Sequence, residues 1–294
     1  MTVFRPPMAY SAEISRRSPA AFVFLLDQSA SMQDRFGGAE QRGDAAPSKA
    51  RVLADTVNRL LQNLVLRSAK EDGVRDYFHV GVAGYGERVG WLVTPTEGQG
   101  AAGGLVPVSH IAEHPLRLDT HVRRVPDGRG GFVEQTTRRP VWFESAARGG
   151  TPMCAALDLA THAVRAWTDA HPDAFPPVVV NVTDGEATDG DPLRHAQLLR
   201  SYGTRDGEAL LFNVHLSSTD EAPVAFPSSL GELPRDASAR ALFETTSVLP
   251  FTMRAAAEAE GLRVTLDTRG FVYNADPVAL VRLLEIGTRP STLR

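Results

Sequence analysis

The stretch AFVFLLDQSASMQ, residues 21–33, changes abruptly from apolar to oxygen-bearing side chains. Its first part, residues 22–26, is continuously apolar, which is typical of a strand covered on both faces in a parallel sheet. Asp27, Ser29 and Ser31 follow at two-residue spacing, and in an extended turn this spacing points all three side chains toward one side. The stretch therefore predicts a buried strand that ends in a group of oxygen atoms able to share a cation.

The rest of the chain alternates between strand and helix patterns. Further strands are predicted in DYFHVGVAGYG, RVGWLV, PPVVVNVTDG, EALLFNVHL and GFVYNA. Helices are predicted in SKARVLADTVNRLLQNLVLRSAK, TPMCAALDLATHAVRAW, DPLRHAQLLRSYG, PFTMRAAAEAEGL and DPVALVRLLEIGTR. Ser48 is the expected cap of the first helix, and Asp191 with Pro192 opens the third. This alternation predicts an α/β fold: a doubly wound, mostly parallel central sheet with helices on both faces and one short antiparallel edge strand.

The length of 294 residues, with 43% hydrophobic residues, fits one large domain or two small ones. We interpret residues 1–18 as an N-terminal extension and residues 19–290 as a single domain. Two stretches interrupt its alternation, at about 33–47 and 95–149, and the second is rich in Gly, Arg and Pro. We predict that both are insertions rather than separate domains.

Composition excludes several classes of function. The 31 basic and 35 acidic residues give a net charge of -4 without a concentrated Lys/Arg run, so neither nucleic acid nor an anionic membrane is an expected partner. A single cysteine, Cys154, excludes an intramolecular disulfide and a zinc site built on several thiolates. The N-terminal residues lack the pattern of a secretion signal, and no window approaches the roughly 18 apolar residues that span a bilayer. We expect a cytoplasmic protein.

Three predicted loops bring oxygen atoms to one edge of the sheet. They are DQSAS after the first strand, GGTPM before the second helix, and TDGE after the strand at 178–182. In doubly wound sheets, ligands bind outside the carboxyl ends of the strands, where the strand order reverses. Carboxylates and hydroxyls without thiols or imidazoles suit a hard cation such as Mg²⁺ or Mn²⁺.

These residues resemble a known metal site. The Asp-x-Ser-x-Ser motif, the Thr of GGTPM and the Asp of TDGE resemble the metal-ion-dependent adhesion site (MIDAS) of von Willebrand factor A (VWA) domains, which have a Rossmann-like fold. The resemblance covers roughly residues 18–290. It implies that Ser29, Ser31 and Thr151 ligate a divalent metal through their hydroxyls, and that Asp27 and Asp184 complete the ligand set directly or through water. Mg²⁺ is the expected ion, with Mn²⁺ or Ca²⁺ as alternatives, and an Asp or Glu of a protein partner would fill the open coordination position.

The wider sequence resembles stand-alone bacterial VWA proteins rather than adhesion receptors. This resemblance implies a cytoplasmic adaptor or scaffold in a stress, signalling or defence system, working beside a kinase, a PP2C-type phosphatase or an AAA+ ATPase. Specificity is expected in the two insertions, especially the one at 95–149, because loops at the rim can vary without disturbing the sheet. The arginines of that insertion could complement an acidic partner; they are Arg123, Arg124, Arg138 and Arg139.

Other interpretations compete with the metal site. Ser29 and Ser31 could simply bond turn backbone, and Thr151 with Pro152 could be the cap and first turn of a helix. The segment GGTPMCAA resembles the serine segment of subtilisin-type hydrolases, but Pro152 stands at the nucleophile position, which leaves only Cys154 as a substitute. A structural subunit with a vestigial metal site is a third alternative. The convergence of three loops favours the metal-dependent binding module, without a catalytic constellation.

Two further metal patterns are weaker. HIAEH places His110 and His114 four residues apart with His121 nearby, but it lacks the Glu that directly follows the first His in zincins. The acidic segment DGEATDGD resembles a calcium loop, yet Asp189 stands where an EF-hand needs Gly and His195 where it needs Glu. We interpret Glu186, Asp189 and Asp191 as helix caps or a solvated rim.

Overall fold

The structure is a computed structural model that describes residues 9–36, 46–95, 103–126, 131–216, 221–275, 279 and 281–283. The helices of this part are α1 Lys49–Ser68, α2 Val108–Glu113, α3 Met153–Ala170, α4 Pro192–Ser201, α5 Ala237–Thr245 and α6 Phe251–Ala259. The strands are β1 Ala20–Asp27, β2 Ala69–Lys70, β3 Gly73–Val74, β4 Phe78–Tyr85, β5 Val89–Trp91, β6 Val106–Pro107, β7 Arg117–Pro126, β8 Phe132–Val141, β9 Val178–Thr183, β10 Gly203–Thr204, β11 Gly207–Glu208, β12 Leu210–His215, β13 Val224–Ala225 and β14 Phe271–Tyr273. A 3-10 turn, Ala30–Gln33, follows β1.

The central sheet has the strand order β13-β14-β12-β9-β1-β4-β5, and β6 also pairs with β4. Strands β14, β12, β9, β1 and β4 pair in parallel, which confirms the predicted doubly wound, mostly parallel sheet. Three short strands pair antiparallel, namely β5, β6 and β13, where the sequence predicted one. The chain moves from β1 to β4 on one side and then crosses to β9 on the other. The strand order therefore reverses between β1 and β9, and in doubly wound sheets ligands bind at the carboxyl edge beside such a reversal.

Both faces of the sheet are covered, as the continuous apolar run predicted. All eight residues of β1 are buried, and they alternate between two cores. Phe22, Phe24 and Leu26 pack in the core that also contains apolar residues of α1, α2 and α6. Val23 and Leu25 pack in the core that contains α3, α4 and α5. Because β1 is held from both sides, the residues that follow Leu26 have a fixed starting point.

Of the helices α1, α3 and α4, two begin at caps that the local sequence predicts. The Ser48 hydroxyl accepts from the Arg51 amide at 3.2 Å, and Asp191 accepts from the Leu193 amide at 2.9 Å, so both predicted caps are confirmed. Helix α3 begins differently, because its cap position is Pro152, which offers no side-chain bond. The alternative in which Thr151 caps this helix is therefore wrong.

Residues 95, 103–126 and 131–149 of the 95–149 stretch are described, and they contribute both to the central sheet and to a separate ribbon. Strand β6 joins the central sheet through β4, while β7 and β8 form a separate two-stranded ribbon of ten residues in each strand. The chain returns to the core at Trp142 and Phe143, where Asn58 of α1 holds it: the Asn58 Oδ1 accepts from the Trp142 amide at 2.8 Å, and its Nδ2 donates to the Phe143 carbonyl at 3.1 Å. The ribbon thus starts and ends on the domain core.

Several predicted features lie wholly or partly outside the described residues. Residues 37–45 of the first insertion belong to this group, as do residues 1–8 of the N-terminal extension. Of the closing helix at 276–289, only residues 279 and 281–283 are described, and they are helical. The domain boundaries remain predictions. Among the described helices, none combines the length and apolar character needed to cross a membrane.

Candidate metal centre

The site is built on the carboxyl ends of adjacent strands. Asp27 ends β1 and is level with Tyr85 at the end of β4, while Leu26 is level with Val182 one residue before the end of β9. Asp27 is 1% exposed, and both of its oxygens accept hydrogen bonds: Oδ1 from the Ser29 amide at 2.8 Å and Oδ2 from the Thr183 hydroxyl at 2.6 Å. The carboxylate is therefore buried and held in one orientation.

Side chains of the β1 loop (residues 28–33) meet the β9 loop (residues 184–191). The Ser29 and Ser31 hydroxyl oxygens lie 3.1 Å apart, and the Ser31 hydroxyl donates to Asp184 Oδ1 at 2.7 Å. These contacts, with the Ser29 amide on Asp27, join four of the five predicted ligands into one hydrogen-bonded group. Ser31 is exposed, so this group is open to solvent on the side of Ser31.

Thr151 lies in the α3 loop (residues 145–152), which contacts both other loops through its backbone. The Thr151 amide donates to the Thr188 hydroxyl at 2.9 Å, and the Thr188 amide donates back to the Thr151 carbonyl at 2.9 Å. Two residues earlier, the Gly149 carbonyl accepts from the Ala30 amide at 3.0 Å. The backbone of Thr151 is thus at the site and the residue is buried, whereas metal ligation by its hydroxyl remains a prediction.

A fourth loop, the β4–β5 turn (residues 86–88), also belongs to this edge of the sheet. A Cβ at Gly86 would lie 2.5 Å from the Gln28 carbonyl oxygen and 2.7 Å from that of Arg148. Gly149 has φ +82°, and its Cβ would lie 2.6 Å from the Glu87 amide nitrogen. Three loops therefore pack backbone to backbone at positions that only glycine fits. The sequence predicted strands in DYFHVGVAGYG and RVGWLV but not that the turn between them lies beside the metal motif.

Lys49, the first residue of α1, is a second missed component. Its ammonium lies 2.9 Å from Asp184 Oδ2 and 3.7 Å from Asp34 Oδ2, and the side chains of Lys49 and Asp184 are 4% and 1% exposed. Lys49 is one of two lysines among 31 Lys and Arg residues. That composition was a signal available in the sequence, because a rare lysine directly after a helix cap is an unusual choice in an arginine-rich chain.

Burial controls the electrostatics of the site. Burial raises the pKa of Asp27, the negative charge of Asp184 adds to this, and the hydrogen bonds from Ser29 and Thr183 oppose it. Burial also raises the pKa of Tyr85 well above its usual value, with a further contribution from Asp27. Tyr85 therefore stays protonated, and its hydroxyl donates to Asn181 Oδ1 at 2.6 Å, directly beneath the site.

The donor set fits a hard divalent cation. Asp27 and Asp184 bring two buried carboxylates, whereas Lys49 brings one buried positive charge. An uncompensated buried charge is costly, and a bound cation would remove that cost. Within the described residues, no three His, Cys, Asp or Glu side chains converge on a common point, so the remaining ligands at this site are hydroxyls. Carboxylate and hydroxyl oxygens are the ligands of Mg²⁺, Mn²⁺ and Ca²⁺.

Residues of the competing interpretations have other partners. The Cys154 thiol is 4% exposed, and burial together with the charge of Asp189 raises its pKa to about 12, which makes it a poor nucleophile. His110 Nε2 lies 3.0 Å from the Thr94 carbonyl oxygen, and His114 Nδ1 lies 3.1 Å from that of His110, so backbone engages one nitrogen of each ring. The side chain of His121 lies outside the described part of the structure.

The acidic residues of the β9 loop are caps or surface groups. Asp189 accepts from the Cys154 and Ala155 amides at 3.0 and 2.9 Å, so it supplies the cap that α3 lacks locally. Burial tends to raise the pKa of Asp189, but these two amide bonds outweigh it and the pKa is lowered. Glu186 accepts from the Ser238 hydroxyl at 2.9 Å. The cap from Asp189 also ties the β9 loop to the α3 loop.

No protein-family model and no curated protein matches this chain. Among solved structures, proximal thread matrix protein 1 from the mussel byssus is similar at 14% identity over 81% of this chain and 43% of that chain, with a TM-score of 0.38. The same protein with a zinc-occupied MIDAS motif matches at 13% identity over the same shares, with a TM-score of 0.37. The vWF domain of the type V pili tip protein Mfa5 from Porphyromonas gingivalis matches at 13% identity over 58% of this chain and 39% of that chain, with a TM-score of 0.32.

This chain therefore spans less than half the length of each of these structures. Similarity at this level says nothing about what the chain binds. The doubly wound α/β class rests on the strand order and parallel register of the central sheet itself.

Proposed function

We propose that this chain is a metal-dependent protein-binding module of the VWA type. Asp27, Ser29, Ser31, Thr151 and Asp184 would hold a divalent cation, Mg²⁺ in the first place and Mn²⁺ or Ca²⁺ as alternatives. The observation that carries the proposal is the 2.7 Å hydrogen bond from Ser31 to Asp184, which brings together two motif side chains that are 153 residues apart in the chain.

The mixture of ligands explains why binding needs no chemical step. Hydroxyls are neutral, so a cation held largely by hydroxyls keeps much of its positive charge. An Asp or Glu side chain of a partner can then complete its coordination from the solvent side, where Ser31 is exposed. The site would act as a clamp for a carboxylate, and we propose no catalytic role for it.

The surroundings of the site suit an acidic partner. A cavity of about 360 Å³ lies beside Gln28, and it is lined by the β4–β5 turn and the α3 loop. Arg88 and Arg148 line this cavity, both are exposed, and neither forms an ion pair with any carboxylate of the described residues. Their charges are available to steer and orient an acidic segment. An apolar cavity of about 270 Å³, lined by residues including Met153, Ala187 and Leu242, lies beside the β9 loop.

The wider sequence bears on the biological setting. The resemblance to stand-alone bacterial VWA proteins supports a cytoplasmic adaptor in a stress, signalling or defence system. It also supports a kinase, a PP2C-type phosphatase or an AAA+ ATPase as the partner that supplies the acidic residue.

Thermal unfolding with and without metal tests the metal centre. We expect saturating Mn²⁺ or Mg²⁺ to raise the Tm of the wild type, because a ligand at about 100 times its Kd stabilises the folded state by about 2.7 kcal/mol. The shift should vanish in Asp27→Asn and persist in Asp169→Ala, which removes a charge from an exposed position at the far end of α3. A shift of equal size in Asp27→Asn would contradict the proposed site.

Affinity purification from the native host tests the clamp. Partners recovered with the wild type in Mg²⁺ should be lost with EDTA, with Asp27→Asn/Asp184→Asn, and in large part with Arg88→Ala/Arg148→Ala. Identical partners from the wild type and the double Asp variant would overturn the clamp. Metal binding without any metal-dependent partner would favour the structural subunit with a vestigial site.

A further inference from the structure

Two general rules disfavour a lysine at position 49. Lysine is almost never fully buried unless it is paired, and the Lys49 side chain is 4% exposed. It is also the first residue of a 20-residue helix, whose N-terminus carries partial positive charge and disfavours cations. Among the described residues, the carboxylates of Asp184 and Asp34 lie beside the ammonium and explain why a lysine is stable there.

The Lys49 ammonium shares Asp184 with the metal motif. Asp184 Oδ1 accepts from Ser31 at 2.7 Å, and Asp184 Oδ2 accepts from Lys49 at 2.9 Å. The backbone of Lys49 is fixed as well, because its amide donates at 2.9 Å to the carbonyl of Asp34, the residue directly after the β1 loop. Both the amide and the ammonium of Lys49 thus contact the end of the segment that carries Ser29 and Ser31.

We propose that the Lys49 ammonium is a permanent cation of the metal centre, which holds Asp184 in place, weakens binding of the metal alone, and leaves the loaded site positive toward an anionic partner. The buried side chains of Asp27, Asp184 and Lys49 together carry one net negative charge, and a divalent cation changes this to one net positive charge. Asp34 is left out of this sum because its side chain is 64% exposed, so solvent screens its charge. A carboxylate from a partner then neutralises the site.

This inference rests on the proposed function and names a regulation of the same site. A metal that is repelled by Lys49 binds weakly by itself, and the partner carboxylate adds the negative charge that the loaded site lacks. Metal and partner therefore bind together, each raising the affinity for the other. A site without Lys49 would load with metal independently of its partner.

Metal titration of the full chain without any partner tests this. We would measure the Kd for Mn²⁺ by calorimetry and by the EPR signal of free Mn²⁺ for the wild type, Lys49→Met and Lys49→Gln. Both variants remove the charge, and glutamine can still donate to Asp184. We expect them to bind Mn²⁺ at least about tenfold more tightly, because a full charge near a divalent ion in a partly buried site is removed.

Two controls isolate the charge at this position. Lys70→Met makes the same change in net charge at an exposed lysine and should leave the Kd for Mn²⁺ unchanged. Lys49→Arg keeps the charge and should keep the weak binding of the wild type. Urea unfolding in EDTA confirms that each variant is folded before its titration is interpreted.

The outcomes separate this inference from the proposed function. An equal or higher Kd in both folded neutral variants, with a wild type that binds Mn²⁺, overturns the role of Lys49 and leaves the metal centre intact. Binding by the variants but not by the wild type supports the role of Lys49, because the inference makes metal binding by the wild type depend on the partner carboxylate. If neither the wild type nor any variant binds Mn²⁺, the metal centre is wrong and the inference fails with it.

Discussion

Thr183 is the closest neighbour of the Asp27 carboxylate. It is fully buried, and its hydroxyl donates to Asp27 Oδ2 at 2.6 Å while also accepting from the Gly185 amide at 3.2 Å. This one hydroxyl therefore orients the carboxylate and the first turn of the β9 loop. Its role is not visible in the sequence, where Thr183 is the last residue of an apolar strand.

Replacing Thr183 by Val should test this role. The variant keeps the shape of the side chain but leaves a buried carboxylate oxygen without its donor. We expect a loss of about 1–3 kcal/mol in the free energy of unfolding, measured by urea denaturation in EDTA, together with weaker binding of Mn²⁺. Thr183→Ser retains the hydroxyl and should behave nearly like the wild type. A loss in Thr183→Ser without a loss in Thr183→Val would show that the methyl group, not the hydrogen bond, matters.

His79, at the start of β4, gives the protein a predictable response to acid. Burial, with the nearby His171 adding to it and Asp76 opposing it, lowers the pKa of His79 from 6.5 to about 4. The Trp167 indole donates to His79 Nδ1 at 3.0 Å, so this nitrogen is unprotonated in the folded state. The unfolded chain binds the proton more tightly, and protonation therefore favours unfolding.

The stabilising contribution of neutral His79 is complete above pH 6.5 and is lost as the pH falls from 6.5 toward 4. We expect about 2–3 kcal/mol of stability to disappear over this window because of His79. His79→Gln, whose amide oxygen can still accept from Trp167, should flatten the dependence of urea stability on pH. His162→Gln changes an exposed histidine and should not. Parallel curves for the wild type and His79→Gln would exclude this source of acid sensitivity.

At the scale of elements, the metal site is an assembly of loops held by glycine contacts. Gly149→Ala would force a Cβ to within 2.6 Å of the Glu87 amide at a φ of +82°, so the α3 loop or the β4–β5 turn must move. We expect a clear loss of Mn²⁺ affinity and a loss of stability of about 1 kcal/mol or more. Gly90→Ala is the matched control, because its Cβ would meet no atom within 4 Å. Unchanged metal affinity in Gly149→Ala would show that the loops do not position the ligands.

Helix α3 shows which element signals the sequence can carry and which it cannot. Ser48 and Asp191 cap their helices from positions next to the helix start, and local sequence was sufficient to predict them. The cap of α3 is Asp189, more than thirty residues away along the chain. A cap from a distant residue satisfies the first backbone amides of the helix as well as a local cap does. No residue of the TPM segment indicates that such a cap is present. The alternative in which Thr151 caps α3 was wrong for this reason.

At the scale of the whole molecule, local patterns could again be predicted from the sequence, whereas long-range contacts could not. The strand and helix alternation is a local pattern with one well-known topological outcome, so the sheet, its switch point and the loops that meet there could be predicted. The Lys49 to Asp184 pair joins residues separated by 135 positions, and the β4–β5 turn reaches the site only through backbone packing. Neither contact follows from a motif, because each depends on which loops the folded sheet brings together.

The β7–β8 ribbon carries apolar side chains on its surface. Leu118, Val122 and Phe132 are 53%, 57% and 70% exposed, and the pairing register places all three on one face of the ribbon. None of the described side chains between residues 121 and 137 is buried. Exposed apolar groups of this kind on a basic ribbon are typical of an interaction surface. That the insertion carries specificity stays a prediction.

Shortening the ribbon should therefore separate folding from recognition. Residues 121–137 would be replaced by Asn-Gly, a two-residue hairpin turn joining Thr120 and Arg138, which lie directly opposite each other. We expect the free energy of unfolding to stay within about 1 kcal/mol of the wild type and the Kd for Mn²⁺ to be unchanged, since no buried described side chain is removed. Capture of the metal-dependent partner should fall sharply. Val122→Ser/Phe132→Ser in the full-length ribbon would show whether the apolar face alone is responsible, and full capture by the shortened chain would place recognition at the metal site and its cavities instead.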